Sequence, residues 1–150
     1  MIKLIASDID GTLVKDGTLM INPEYMNVIN KLVDQGIIFI VCSGRQFSSE
    51  RKLFAPIADK LYYISDGGTV VRTPDKILKT YPMDEELWKN MCRMVRDTLP
   101  SCDYFVGTPD YGFAENAGSQ MFHWLRDSYG FDMRETSDVL SIQNEDVIKF

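Results

Sequence analysis

Three apolar runs in the first half of the chain share one pattern. Residues 2–6 run into Ser7-Asp8-Ile9-Asp10-Gly11-Thr12, residues 37–42 into Ser43-Gly44-Arg45, and residues 61–64 into Ser65-Asp66-Gly67-Gly68. Each run is continuous rather than alternating, which predicts strands of a parallel sheet covered on both faces. Between the first two runs, Met26, Ile29, Leu32 and Val33 recur at three- and four-residue steps and predict a helix with one buried stripe. Asn22 suits its N-cap, Pro23 its first helical position and Gly36 its end. A second helix is predicted from Gln46 to about Ala55. The order β-α-β-α-β implies right-handed crossovers. In open sheets of this kind ligands bind outside the carboxyl ends of the strands, where all three polar clusters fall.

Two hairpin signals decorate this unit: Asp16-Gly17, and the proline turn Thr73-Pro74-Asp75-Lys76 between residues 69–71 and 77–78. After Pro82 the texture changes. Asp84 can cap a helix carrying Leu87, Met91, Met94 and Val95 that ends before Pro100. Residues 102–106 and 111–114 flank Gly107-Thr108-Pro109-Asp110 as a further hairpin, and a helix over about 119–129 stops at Gly130. Residues 147–150 read as the start of a strand. The fold class predicted is α/β: part of a Rossmann-like parallel sheet over residues 1–82, then the beginning of an α+β unit over 83–150.

Composition narrows the partners. The 150 residues carry 16 Lys plus Arg against 22 Asp plus Glu, a net charge of −6. That balance excludes a nucleic-acid backbone or an anionic membrane as the main partner, because both reward a basic face. The 3 cysteines, Cys42, Cys92 and Cys102, are widely spaced. They predict neither a disulfide framework nor a zinc cluster, and so a reducing compartment. The first apolar run is too short for a signal peptide or a membrane span, and a cytoplasmic location is expected.

The strongest chemical signal is Asp8-x-Asp10 at the end of the first strand. Two carboxylates so close repel each other unless a cation offsets them, and hard oxygen donors at an exposed strand end suit Mg2+. Gly11 permits a sharp turn, and Thr12 adds a hydroxyl.

Asp8-Ile9-Asp10-Gly11-Thr12-Leu13 resembles the first motif of the haloacid dehalogenase superfamily of phosphohydrolases, and Ser43-Gly44-Arg45 resembles its second. The Asp16-Gly17 hairpin falls where that family has its flap. The switch near residue 83 is similar to the α/β cap (type IIB) of its Cof-type branch. The resemblance implies a magnesium-dependent phosphatase of small phosphorylated metabolites, such as sugar phosphates. Asp8 would be the nucleophile and Asp10 the general acid and base. Mg2+ would bind the Asp8 side chain and the Asp10 carbonyl. Thr12 lies beside the anion; Ser43 and Gly44 would hold the phosphoryl group, and Arg45 would contact substrate.

The family's later lysine and Gly-Asp-x-x-x-Asp cluster have no counterpart: Lys149 falls in an apparent cap strand, and no Gly-Asp precedes Asn144-Glu145-Asp146. The chain therefore resembles the N-terminal portion of such an enzyme, with weak metal binding and weak or absent turnover expected. Asp66 stands where the family carries Asn, and a carboxylate there would repel phosphate. Without downstream neighbours the first strand becomes a sheet edge, which predicts that the chain forms a homodimer through that edge, rearranges or needs a missing segment. Two other readings compete: a D-x-D glycosyltransferase, and a non-catalytic phospho-acceptor domain built on Asp8, Asp10 and Asp66.

Overall fold

The computed structural model describes residues 2–15 and 20–150. The predicted Asp16-Gly17 hairpin lies outside the described residues. Strand β1 (Leu4–Asp8) leads to helix α1 (Pro23–Asp34), β2 (Ile38–Cys42), α2 (Phe47–Leu53), β3 (Tyr62–Ser65), β4 (Val70–Arg72) and β5 (Ile77–Thr80). These strands form one sheet in the order β1-β2-β3-β4-β5. The first three run parallel, with Ala6 opposite Ile40 and Ile40 opposite Tyr62; β4 and β5 are antiparallel. The sheet is the parallel α/β arrangement that the apolar runs predicted, and β1 is its edge among the described residues.

Local chemistry sets the helix limits. Asn22 Oδ1 accepts from the Glu24 N–H at 2.9 Å, and Pro23 opens α1. Gly36, at φ +84°, takes the left-handed conformation that ends it. Ile29 of α1 and Phe47 and Leu53 of α2 share one core with Phe39, Val41 and Tyr63. Both helices therefore cover the same face of the sheet, as consecutive right-handed crossovers in one direction require.

Among the described residues, cover lies on one face of the sheet. Burial alternates along β2, and Leu4, Ile38 and Tyr62 on the other face are exposed. The apolar runs anticipate two layers; the described helices supply one.

Beyond residue 83, Asp84 Oδ1 accepts from the Leu87 N–H at 2.9 Å and opens α3 (Glu85–Thr98). Strands β6 (Val106–Gly107), β7 (Gly112–Ala114) and β8 (Met133–Glu135) make a second sheet in that order. Strand β8 had no sequence signal. The predicted helix over 119–129 is a short α4 (Gln120–His123) that widens into a π-helical turn over Trp124–Ser128. The predicted final strand is a single antiparallel bridge from Lys149 to Gly107.

The one-sided core has a measurable consequence. Leu61 is 1% exposed and Leu4 50%. Leu61→Ala should cost about 2–5 kcal/mol in urea unfolding, and Leu4→Ala no more than about 0.5 kcal/mol. Equal costs would show that the outer face is covered in solution.

Candidate active site

The polar clusters that follow β1, β2 and β3 converge at one end of the sheet. Asp8, the last residue of β1, pairs in register with Cys42, the last of β2. Beyond it the chain turns tightly: the N–H groups of Thr12, Leu13 and Val14 all donate to the Ile9 carbonyl, with Gly11 at φ +78°. This turn brings the Thr12 hydroxyl back to donate to Asp8 Oδ2 at 3.1 Å. Asp8 itself is exposed.

Asp10 has different surroundings. Arg45 Nε donates to its Oδ2 at 2.8 Å and Arg45 Nη2 to its Oδ1 at 2.5 Å, a two-pronged pair. Arg45 is only 1% exposed, and the Asp10 hydrogen bond raises its already high pKa further. Two aspartates with the same sequence signal are thus made unequal, one open and one held.

The loop 43–45 is fixed by backbone bonds from the β3 cluster. Asp66 N–H donates to the Arg45 carbonyl at 2.9 Å and Gly67 N–H to the Ser43 carbonyl at 3.0 Å. Asp66 takes a left-handed φ of +51°, which Asp and Asn tolerate better than most residues. Ser43 is buried, and its Oγ accepts from the Arg45 N–H at 3.1 Å; Gly44 is exposed beside it.

Beside this loop lie Lys149 and the buried carboxyls of Asp66 and Glu50, of which the sequence connects only Asp66 to the site. Lys149 reaches across from the end of the chain, donating to the Gly44 carbonyl at 2.7 Å and to Asp66 Oδ1 at 3.3 Å. The Asp66 carboxyl that was expected to repel an anion is buried and paired with an ammonium. Burial pushes its pKa up to about 6, with Lys149 pulling the other way. Glu50 is fully buried on α2 and accepts from the Ser65 hydroxyl at 2.5 Å. Burial raises it to about 8, the Ser65 bond opposing.

Asp8, Asp10, Thr12, Ser43, Gly44 and Arg45 are therefore gathered at one strand-end cluster. Arg45 is turned onto Asp10 instead of lying as a surface side chain at the helix start. Lys149 reads from the sequence as part of an apparent cap strand, and the fold brings it to the Gly44 carbonyl and Asp66. Glu50 gave no signal, because a glutamate in a short polar helix ordinarily faces water. His123 is exposed beside Asp127. Among the described residues no group of three His, Cys, Asp or Glu side chains is arranged to hold a metal ion. Asp8 and the Asp10 carbonyl do offer hard oxygen donors of the kind that suits Mg2+.

The strand-end Asp-x-Asp and the Ser-Gly-Arg loop beside it thus lie together at one end of the parallel strands. Residues 5–150 match the sequence pattern of the haloacid dehalogenase-like hydrolases, and the chain belongs to that family. A solved structure from Eubacterium rectale is 71% identical, with a TM-score of 0.84 over 97% of this chain and 55% of that one. The HAD subclass IIB sugar phosphatase BT4131 is 17% identical and shares the fold, with a TM-score of 0.72 over 90% of this chain and 52% of that one. The 5-amino-6-(5-phospho-D-ribitylamino)uracil phosphatase YbjI of Escherichia coli (strain K12) is 34% identical over 67 residues, 45% of this chain and 25% of that protein. The chain spans about half the length of these solved relatives.

The Glu50 carboxyl gives the fold a pH dependence of known sign. Its pKa rises from 4.5 to about 8 on folding, so between those values the folded state holds a proton that the unfolded state has lost. Stability must therefore fall as pH rises through this window. Glu50→Gln keeps an acceptor for Ser65 and removes the titration. Thermal melting should show the wild-type chain losing stability from pH 5 to 9 more steeply than the variant. Parallel curves would mean that Glu50 is ionised in the fold.

Proposed function

We propose that this chain carries the catalytic half-site of a Mg2+-dependent phosphatase that acts on small phosphorylated metabolites through an aspartyl-phosphate. The observation that carries this reading is the inequality of the two aspartates. Asp8 is exposed and steadied by Thr12, so one of its oxygens can approach phosphorus. Asp10 is gripped on both oxygens by a buried arginine, which occupies the lone pairs that attack on phosphorus would need and leaves it the fixed base of the pair.

In the first step an Asp8 oxygen bonds to phosphorus as the bond to the leaving oxygen breaks, and Asp10, in the form that carries a proton on one carboxyl oxygen, gives that proton to the leaving oxygen and is left as the carboxylate. In the second, Asp10 takes a proton from water as the water oxygen attacks phosphorus and the Asp8–phosphorus bond breaks. The ionised, Arg45-paired form of Asp10 is the one this second step needs. Ser43 and Gly44, on the loop that Asp66 and Gly67 hold by backbone bonds, would receive the phosphoryl oxygens. The Asp8 carboxylate and the Asp10 carbonyl would hold Mg2+, which supplies positive charge between an anionic nucleophile and an anionic phosphate.

Residues 1–82 form the core part in this reading and residues 83–150 the first part of the cap. The sugar-phosphate class is supported by BT4131, named a sugar phosphatase, and by YbjI, named a phosphatase of a phosphoribityl compound. The free cysteines fit a reducing, cytoplasmic setting. No helix among the described residues is long and apolar enough to cross a membrane. The edge strand β1, with Leu4 and Ile38 exposed beside it, supports homodimerisation, which a monodisperse monomer in light scattering would oppose.

The phospho-acceptor alternative requires Asp8, Asp10 and Asp66 as one open acidic pocket. Asp10 and Asp66 are instead each paired with a cation. Membership of a hydrolase family supports the phosphatase over the glycosyltransferase.

Phosphate release from a panel of sugar phosphates tests the reading. With Mg2+ present, Asp8→Asn should lower it by at least about a thousandfold. Release that survives this substitution, or that persists after chelation of the metal, would overturn it.

A further inference from the structure

The segment 129–132, which follows the π-helical turn, docks on the first turns of α2. The Tyr129 carbonyl accepts from the Ser49 hydroxyl. The Gly130 carbonyl accepts from Lys52 Nζ at 2.7 Å and Ser48 Oγ at 3.3 Å. The Asp132 N–H donates to Gln46 Oε1 at 2.6 Å and to Ser48 Oγ at 3.0 Å. Every one of these partners lies just after Arg45 in the sequence. The Tyr129 ring meanwhile lies against the Arg45 guanidinium, with Cζ 4.7 Å from the ring centroid.

Arg45 is thus held on three sides: Asp10 on its fork, Tyr129 on its face, and Ser49 Oγ at 3.4 Å from Nη1. Ser49 is shared, since the hydroxyl near Arg45 is the one that donates to the Tyr129 carbonyl. An unrestrained arginine side chain samples many rotamers. Stacking on a ring and exclusion of water select one rotamer from that set. The rotamer selected is the one that orients the Asp10 carboxyl.

We propose that Tyr129 is a positioning residue for Asp10, acting through Arg45, so that docking of segment 129–132 on α2 sets the orientation of the proton-transfer group. This rests on the roles given above to Asp8 and Asp10. Attack by Asp8 does not need the contact; protonation of a strongly basic leaving oxygen does. The effect of losing it therefore depends on the leaving group. A sugar alkoxide needs the proton, whereas p-nitrophenolate leaves without one.

Two measurements on the full chain test this. In the first, exchange of the Arg45 Nε–H with solvent is followed by NMR, the signal being assigned by its loss in Arg45→Lys. Tyr129→Phe keeps the ring and should exchange as wild type does. Tyr129→Leu should exchange about tenfold or more faster, and Ser49→Ala should show a smaller change in the same direction. Unchanged exchange in Tyr129→Leu would overturn the proposal even if activity changes.

In the second, kcat/KM is compared for glucose 6-phosphate and p-nitrophenyl phosphate. Tyr129→Leu should lower the first about ten- to a hundredfold and the second less than about twofold, with Tyr129→Phe restoring both. Equal losses on both substrates would reduce Tyr129 to a structural role and overturn the proposal. If exchange responds as expected while Asp10→Asn shows no leaving-group dependence, Tyr129 still positions Arg45 and the error lies in the role given to Asp10.

Discussion

A buried guanidinium must be neutralised, and the way Arg45 is neutralised organises this site. Its charge has been taken out of water almost completely, a state sustained only by close pairing and full hydrogen bonding. Asp10 supplies the counter-charge, so the turn after β1 is tied to the loop after β2. The same side chain lies at the entrance to α2, where residues 46–52 take up the segment 129–132. One ion pair thus links the first strand, the second strand's loop and a segment more than 80 positions away. It also makes two chemically identical carboxylates different, which a reaction needing one nucleophile and one proton carrier requires.

Around that pair the protein tolerates an unusual density of buried ionisable groups. Glu50 is accommodated by rising to a pKa near 8, which leaves it neutral over much of the ordinary range. Asp66 is accommodated differently, through an ammonium brought from position 149. The departure from the family's asparagine at that position is therefore offset by a residue from another part of the chain. Asp66 and Lys149 act as one unit: the lysine also donates to the Gly44 carbonyl and so helps hold the loop that follows β2. A buried negative charge is tolerable when a positive one is fixed beside it.

Much of the fold could be read from the residues. The strand runs, the Asn22-Pro23 and Asp84 helix starts, and the Asp-x-Asp strand end are local signals with local causes, and the structure places each where it was expected. What could not be read was long-range or two-faced. Continuous apolar strands promise two covering layers; crossover handedness puts α1 and α2 on one side, and the described residues supply no second layer over Leu4, Ile38 and Tyr62. Strand β8 is three residues, Met-Arg-Glu, with no period to detect. Lys149 and Tyr129 have ordinary sequence neighbourhoods, and their importance comes from what the tertiary fold sets opposite them. Glu50 reads as a surface glutamate until Ser65 closes over it.

The most direct measurement of the central claim, that Arg45 leaves Asp8 and not Asp10 as the nucleophile, is chemical trapping of the covalent intermediate. Borohydride added during turnover of a phosphate ester reduces an acyl phosphate to the alcohol, and peptide mass spectrometry then locates the converted residue. The account predicts conversion at Asp8, with Asp10 intact in the same peptide. Conversion at Asp10, or none under conditions where phosphate is being released, would contradict it.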